Sequence, residues 1–171
     1  GLVDIHVHVF AGTMGPEYMG ALSVRPDGFT FRSGVTTVVD AGSSGWRSFA
    51  DFKRQIVDTS RTRVLAWLNI VGKGMGGGKT MEQDTTDMEP EKTAAEAQRY
   101  PGLIVGIKIA HYAGPEWLAV DRAVEAGRLA KVPVMVDFAQ FRQERPFQDL
   151  VLKRLRPGDI YTHTYLGAVP M

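Results

Sequence analysis

Val3-Asp4-Ile5-His6-Val7-His8-Val9 is a strictly alternating stretch. Val3, Ile5, Val7 and Val9 are apolar and β-branched, and Asp4, His6 and His8 fall between them. A period of two belongs to a β-strand, in which residues i and i+2 share a face. His6 and His8 therefore point the same way, with Asp4 one step behind. Two adjacent imidazoles can take one divalent ion between them, since neutral histidine is the commonest nitrogen ligand of zinc and similar metals. The plain alternative is a strand with polar residues on its wet face. A histidine pair at i, i+2, followed by the turn-forming Ala11-Gly12, favours the metal.

Beyond this strand the chain repeats one pattern. A long Gly-, Pro- and Met-rich loop is expected over roughly residues 10–33, a length usually tied to function. Residues 35–40, VTTVVD, read as a second strand, buried on both faces as in a parallel sheet. Ser43, Ser44 and Gly45 are expected to break it. A helix follows, with Phe49, Phe52 and Ile56 on one stripe and Ser44 as a candidate N-cap. Residues 63–71 form a third strand, and a glycine-rich loop runs from Gly72 to Lys79. That loop is not a phosphate loop, because the first glycine of GxxxxGK[ST] would fall on Lys73. Pro90 opens a short helix that Pro101-Gly102 ends. Residues 103–109, LIVGIKI, are the fourth strand. A helix after Pro115 carries Trp117, Val120 and Val124. Residues 133–138 are the fifth strand, a helix covers about 146–155, and residues 159–163 are the sixth strand.

Strand, loop, helix and strand in repetition imply parallel strands with right-handed helical crossovers. An open doubly wound sheet and a (β/α)8 barrel both satisfy the pattern. A barrel sets its chemistry at the C-terminal ends of its strands. The polar residues fall there. His6 and His8 end the first strand, Asp40 the second, and Asn69 stands near the end of the third. Lys108 is near the end of the fourth with His111 just beyond, Asp137 is near the end of the fifth, and His163 ends the sixth. Lys108 interrupts an apolar strand, where an unpaired charge is expensive. A snorkelling lysine or a buried ion pair would explain it. The sharper reading is an amine whose pKa is lowered by burial, able to take up carbon dioxide as a carbamate.

Composition excludes several classes. The chain has 171 residues, 44% hydrophobic and 23% charged, which is enough for a globular core. A net charge of +1 marks no nucleic-acid partner. With no cysteine, thiolate metal sites and cysteine nucleophiles are excluded, and a cytoplasmic home is expected. No apolar run approaches the roughly 20 residues of a membrane span. The chain begins inside its first strand and stops soon after its sixth. The expectation is therefore an incomplete barrel domain over residues 1–171, with two open sheet edges that would drive self-association if the chain were made alone.

The chain resembles the amidohydrolase superfamily, specifically its dihydroorotase-like amidohydrolase/deacetylase metallohydrolases. The resemblance is carried by GLVDIHVHVF at 1–10, SGVTTVVDAGSSG at 33–45, WLNIVGKG at 67–74, GIKIAHYAG at 106–114 and RPGDIYTHTYLG at 156–167. It implies a partial (β/α)8 TIM-type barrel of about six parallel strands, holding one or two divalent metal ions, zinc foremost. It implies that His6 and His8 bind the more buried metal, that carboxylated Lys108 bridges, and that His163 serves the second metal. Metal-activated hydroxide would then attack an amide or ester carbonyl of a small acylated substrate.

Three departures stand out. Where many relatives end the fifth strand in histidine, this chain has Asp137, whose carboxylate can also ligate zinc. Where dihydroorotases proper carry an arginine two residues after the second histidine, this chain has Phe10, which argues against dihydroorotate. The family's aspartate after strand eight has no counterpart. His111 matches no family ligand and is a candidate substrate contact, with Asn69 and Asp40 possible pocket residues. Asp4 is a candidate support for a ligand histidine. A metal-dependent phosphoesterase and a non-catalytic truncated product are the competing functions.

Overall fold

The computed structural model describes residues 1–10, 23–76, 81–137 and 142–165. Six parallel strands lie side by side in the order in which they are made: β1 (Leu2–Val7), β2 (Val35–Gly45), β3 (Arg63–Asn69), β4 (Ile104–Ile109), β5 (Val134–Val136) and β6 (Ile160–Tyr161). Crossovers pass through α1 (Pro26–Phe29), α2 (Phe49–Gln55), α3 (Pro90–Arg99), α4 (Leu118–Ala130) and α5 (Phe147–Asp149). This is the expected partial barrel, and β1 and β6 are its outermost strands.

Alternation along the strands sorts side chains into two layers. On one face Val38, Leu68, Ile70, Ile107 and Val134 pack against Phe49 and Phe52 of α2 and Ala119, Val120 and Ala123 of α4. The other face carries a smaller cluster, Val39, Ala41, Trp67 and Met135, formed by strand residues alone. Trp67 lies across this inner face, and its indole N–H donates to the Ile5 carbonyl at 3.0 Å. The ring needs Gly106 beneath it, where any Cβ would overlap the indole. Along the edge, Val3 and Ile5 of β1 are 60% and 47% exposed.

Several elements differ from their sequence-based bounds. β2 does not break at Ser43 but runs on to Gly45, after a register shift against β3. The extension holds because Asp40 accepts the Ser43 amide, and because Gly45 lies so close to the Val71 carbonyl that a side chain would collide with it. Ser44 is therefore a buried strand residue, and Ser48, not Ser44, precedes α2. The loop expected over 10–33 contains α1 and a 3-10 turn, Thr30–Ser33, while its residues 11–22 lie outside the described part. So do residues 77–80 of the glycine-rich loop and Phe138 at the end of the fifth strand. The helix expected over 146–155 starts as α5 and widens into a π-type turn, Leu150–Arg154, with the Leu155 amide bonded back to the Leu150 carbonyl. β6 is shorter than expected at both ends, and at its start Asp159 turns aside to accept the amides of Val134 and Arg156, both at 2.8 Å.

Among the described residues, no helix is long and apolar enough to cross a membrane.

Candidate active site

β1 and the residue just past its end bring His6 and His8 together, with ring centroids 5.8 Å apart. Each ring is held through Nδ1. His6 Nδ1 lies 2.7 Å from the Thr162 hydroxyl, just past β6, and His8 Nδ1 lies 3.1 Å from the Ser43 hydroxyl in β2. Nε2 of each ring is thereby left as the nitrogen open to a ligand. Burial, then the Lys108 ammonium, then the neighbouring His163, His8 and His111 rings lower the His6 pKa to about 3. Burial and Lys108 take His8 down to about 4, against the opposing pull of Glu82 and Asp137. Both imidazoles are neutral near pH 7, the form that ligates metal.

The other strand ends bring their polar groups to the same region. Lys108 is 1% exposed, with Nζ 3.6 Å from the Met135 sulfur. Burial lowers its pKa to about 8, although Asp137, Glu82 and Asp40 all act to raise it. Asp137 is buried, and its Oδ2 faces two imidazoles, His163 Nε2 at 3.2 Å and His111 Nε2 at 3.4 Å. The His6 and His163 rings stand 4.7 Å apart, so side chains from β1 and from the segment just past β6 meet at this end. An open concavity of about 460 Å³ adjoins them, lined by His6, Met135, Ile160, Thr162 and His163.

Asn69 and Asp40 sit differently from the pocket role expected of them. Asn69 is fully buried, donating to the Gly42 carbonyl at 3.0 Å and Glu82 at 3.1 Å, and accepting from the Val71 amide at 2.9 Å. Asp40, also fully buried, accepts the Val9 amide on one oxygen and the Ser43 amide on the other, both at 2.8 Å. It ties the segment just past β1 to the middle of β2. Asp4 accepts the amide of His6 at 3.0 Å and so braces the backbone of that ligand candidate.

Asp40 also carries a pH dependence. Burial raises its pKa from 3.8 to about 6, opposed by the Val9 and Ser43 hydrogen bonds and by Lys108. The folded state thus holds the proton more tightly than the unfolded chain. Stabilisation from this group is complete below about pH 4 and is lost as pH rises through about 6. Asp40→Asn removes that titration and sets an amide N–H₂ against a backbone N–H, at a cost of about 1–3 kcal/mol. The stability gap between wild type and Asp40→Asn, measured by denaturant unfolding, is expected to narrow between pH 4 and 6. An unchanged gap would reject the assignment.

Glu82, Ser43 and Thr162 belong to this constellation and were not singled out in the sequence. Glu82 lies in MEQDTTDME, which has no periodicity to mark a buried carboxylate, yet it is 1% exposed and 2.6 Å from His111 Nδ1. That hydrogen bond raises the His111 pKa, against burial. By sequence Ser43 reads only as a strand breaker. Thr162 follows the period of two from Ile160, and that was its one available signal.

The donor set suits a divalent ion in kind, with neutral imidazoles fixed at one nitrogen, buried carboxylates and a buried amine. Among the described residues, no group of three or more histidine, cysteine, aspartate or glutamate side chains is arranged to hold a metal ion.

No family model matches the chain. Over 173 residues it is 32% identical to the deacetylase Atu3266 of Agrobacterium fabrum, a match covering 98% of this chain and 40% of that protein. It is likewise 32% identical to a deacetylase of Brucella anthropi, covering 98% of this chain and 41% of the relative. The chain thus spans about 40% of the length of these curated relatives. A solved dihydroorotase superposes with a TM-score of 0.78 at 30% identity, over 93% of this chain and 42% of that one. A solved adenine deaminase, with the same TM-score and coverage but 24% identity, shares the fold.

Proposed function

The chain belongs to the amidohydrolase superfamily, and from that premise we propose that the protein carrying it is a metal-dependent hydrolase of the deacetylase type, acting on an amide or ester carbonyl of a small acylated substrate. One observation carries the reading. His6, His8, Lys108, Asp137 and His163 come from four strands and gather at the same end of one sheet. His6 and His8 would hold the deeper ion. Lys108, as its carbamate, would bridge to a second ion held with His163 and Asp137. A bound divalent ion, zinc foremost, supplies a water of lowered pKa and a polarised carbonyl.

The chain's own residues prepare that chemistry. Thr162 and Ser43 fix the two imidazole rings. Burial keeps both rings neutral, and it frees part of the Lys108 population from its proton. The neutral amine attacks carbon dioxide, a C–N bond forms, and one N–H proton leaves to solvent. The adjoining concavity has room for a small acyl compound.

The test is an assay of the metal-loaded protein on N-acetyl amino acids beside a generic phosphate ester. Deacetylation without phosphate release is expected. Phosphate release without deacetylation would overturn the reading in favour of a phosphoesterase.

Asp137→Asn bears on the second ion. The variant is expected to lose most of one bound metal equivalent while keeping the ion on His6 and His8, with activity reduced about 100-fold or more. Elemental analysis alongside the melting temperature decides it. Full metal occupancy in a merely less stable variant would reject a ligand role.

A further inference from the structure

The backbone just past β4 is held from outside itself. Gln83 donates to the His111 carbonyl and accepts from the Ala113 amide, both at 2.8 Å. Between them Arg145 donates to the Tyr112 carbonyl at 3.1 Å. Gln83 thus does for this turn what a neighbouring strand does within the sheet. The segment that carries it is anchored in its turn. Arg122 donates to the carbonyls of Thr85 and Met88, and Arg47 pairs with Asp87 at 2.7 Å.

His111 needs that support. Its φ is 56°, in the left-handed region that side chains with a Cβ avoid. Such conformations persist where the surroundings over-determine them, and they cluster at functional sites.

The ring is hydrogen-bonded on one side. Glu82 Oε2 lies 2.6 Å from Nδ1, and the other Glu82 oxygen accepts from the fully buried Asn69. Nε2 faces the other way, toward the end of β5. Asp137 Oδ2 lies 3.4 Å from it, beyond the usual reach of an N–H···O hydrogen bond. An imidazole braced by a carboxylate at one nitrogen presents the other to whatever enters the site. The His111 side chain is 29% exposed and that of Glu82 is 1% exposed. A small molecule at the strand ends therefore meets the ring and not the carboxylate behind it.

We propose that His111 is a substrate-binding residue that hydrogen-bonds the amide of a small acylated amine through Nε2, with Glu82 positioning its ring and Gln83 its backbone. The proposal rests on the deacetylase reading and adds to it a contact on the β4 side of the site. An amide suits Nε2 in either protonation state, since it offers an N–H to a bare nitrogen and a carbonyl oxygen to a protonated one. The contact needs no ion on His111.

Steady-state kinetics of the full-length, metal-loaded protein on an N-acetyl amino acid test it. His111→Asn removes the ring and leaves a residue that tolerates the left-handed backbone, so it should fold. It is expected to raise KM about tenfold or more, with kcat within about threefold of wild type. Bound zinc, counted by elemental analysis, is expected to stay at the wild-type level. Glu82→Ala and Gln83→Ala are expected to raise KM in the same way. Glu82→Gln keeps an oxygen for Nδ1 and is expected to recover part of the loss. Added to His111→Asn, Glu82→Ala should raise KM little further, because its effect runs through the ring. Gln83→Ala supplies the same cycle if Glu82→Ala fails to fold. Wild-type KM in His111→Asn, or zinc lost from it, would overturn the proposal. So would additive increases in the double variant, the mark of a merely structural Glu82 or Gln83. Each of those results would leave the deacetylase reading standing, whereas a wild-type protein that leaves N-acetyl amino acids intact would overturn both.

Discussion

His6→Ala and His8→Ala are each expected to strip the protein of most of its bound zinc or manganese and to lower hydrolysis by about 10³-fold or more, equivalent to about 4 kcal/mol of transition-state stabilisation. The two rings stand together, and each is fixed at Nδ1 by a hydroxyl from elsewhere in the fold. Removing one ring leaves the other pointing at a site that has lost half its imidazole pair. Little stability should be lost with it, since β1 is an edge strand and the apolar contacts here come from Val7 and from Val9 just past it. The outer layers are gentler controls. Thr162→Val and Ser43→Ala remove only the orienting hydroxyls and are expected to cost about 10- to 100-fold in metal affinity. Unchanged metal content in both histidine variants would sink the assignment.

Lys108→Ala is expected to abolish turnover, with partial recovery on adding a short carboxylic acid that can sit where the carbamate would. Lys108→Arg should not recover, because guanidinium neither forms a carbamate nor fits. The space is tight. Gly42, at φ of 88°, lies so close that a Cβ there would stand 2.7 Å from the Lys108 Cγ. The lowered pKa raises the neutral fraction of the amine at pH 7 on the order of a hundredfold above that of a free lysine. Lys108→Met separates function from packing. It keeps the volume and removes a buried charge, so it should be at least as stable as wild type and inactive. A fully active Lys108→Arg or Lys108→Met protein would rule the bridging role out.

The barrel could be read from the chain because its strands advertise themselves. Alternation in 3–9 and the β-branched run at 35–39 are signals of period and propensity, and both survive in β1 and β2. Strand ends were harder. Ser43, Ser44 and Gly45 have the composition of a turn, yet they continue β2, because the fully buried Asp40 accepts the Ser43 amide and Gly45 tolerates the approach of Val71. Lys108 was legible as a charge out of place in an apolar strand. Glu82 was not legible. Its burial comes from contacts with Asn69 and His111, 13 and 29 residues away, and no local pattern encodes them. His111 stands out in the sequence as a candidate substrate contact, but its partners do not, since Glu82 and Gln83 reach it from another loop.

The unbroken sheet order from β1 to β6 also bears on how the protein is made. Each strand pairs with the one synthesised just before it, so each pairing can form as soon as the later of the two strands and its crossover have been made. A nascent chain leaving the ribosome can lay down the sheet one unit at a time. The ligand groups emerge in that same order, His6 and His8 first, then Lys108, with Asp137 and His163 last. A half-made chain offers an ion two imidazoles and little else. On the proposed metallohydrolase reading, tight metal capture would wait for the sixth strand, and the timing of metal loading would follow the direction of translation.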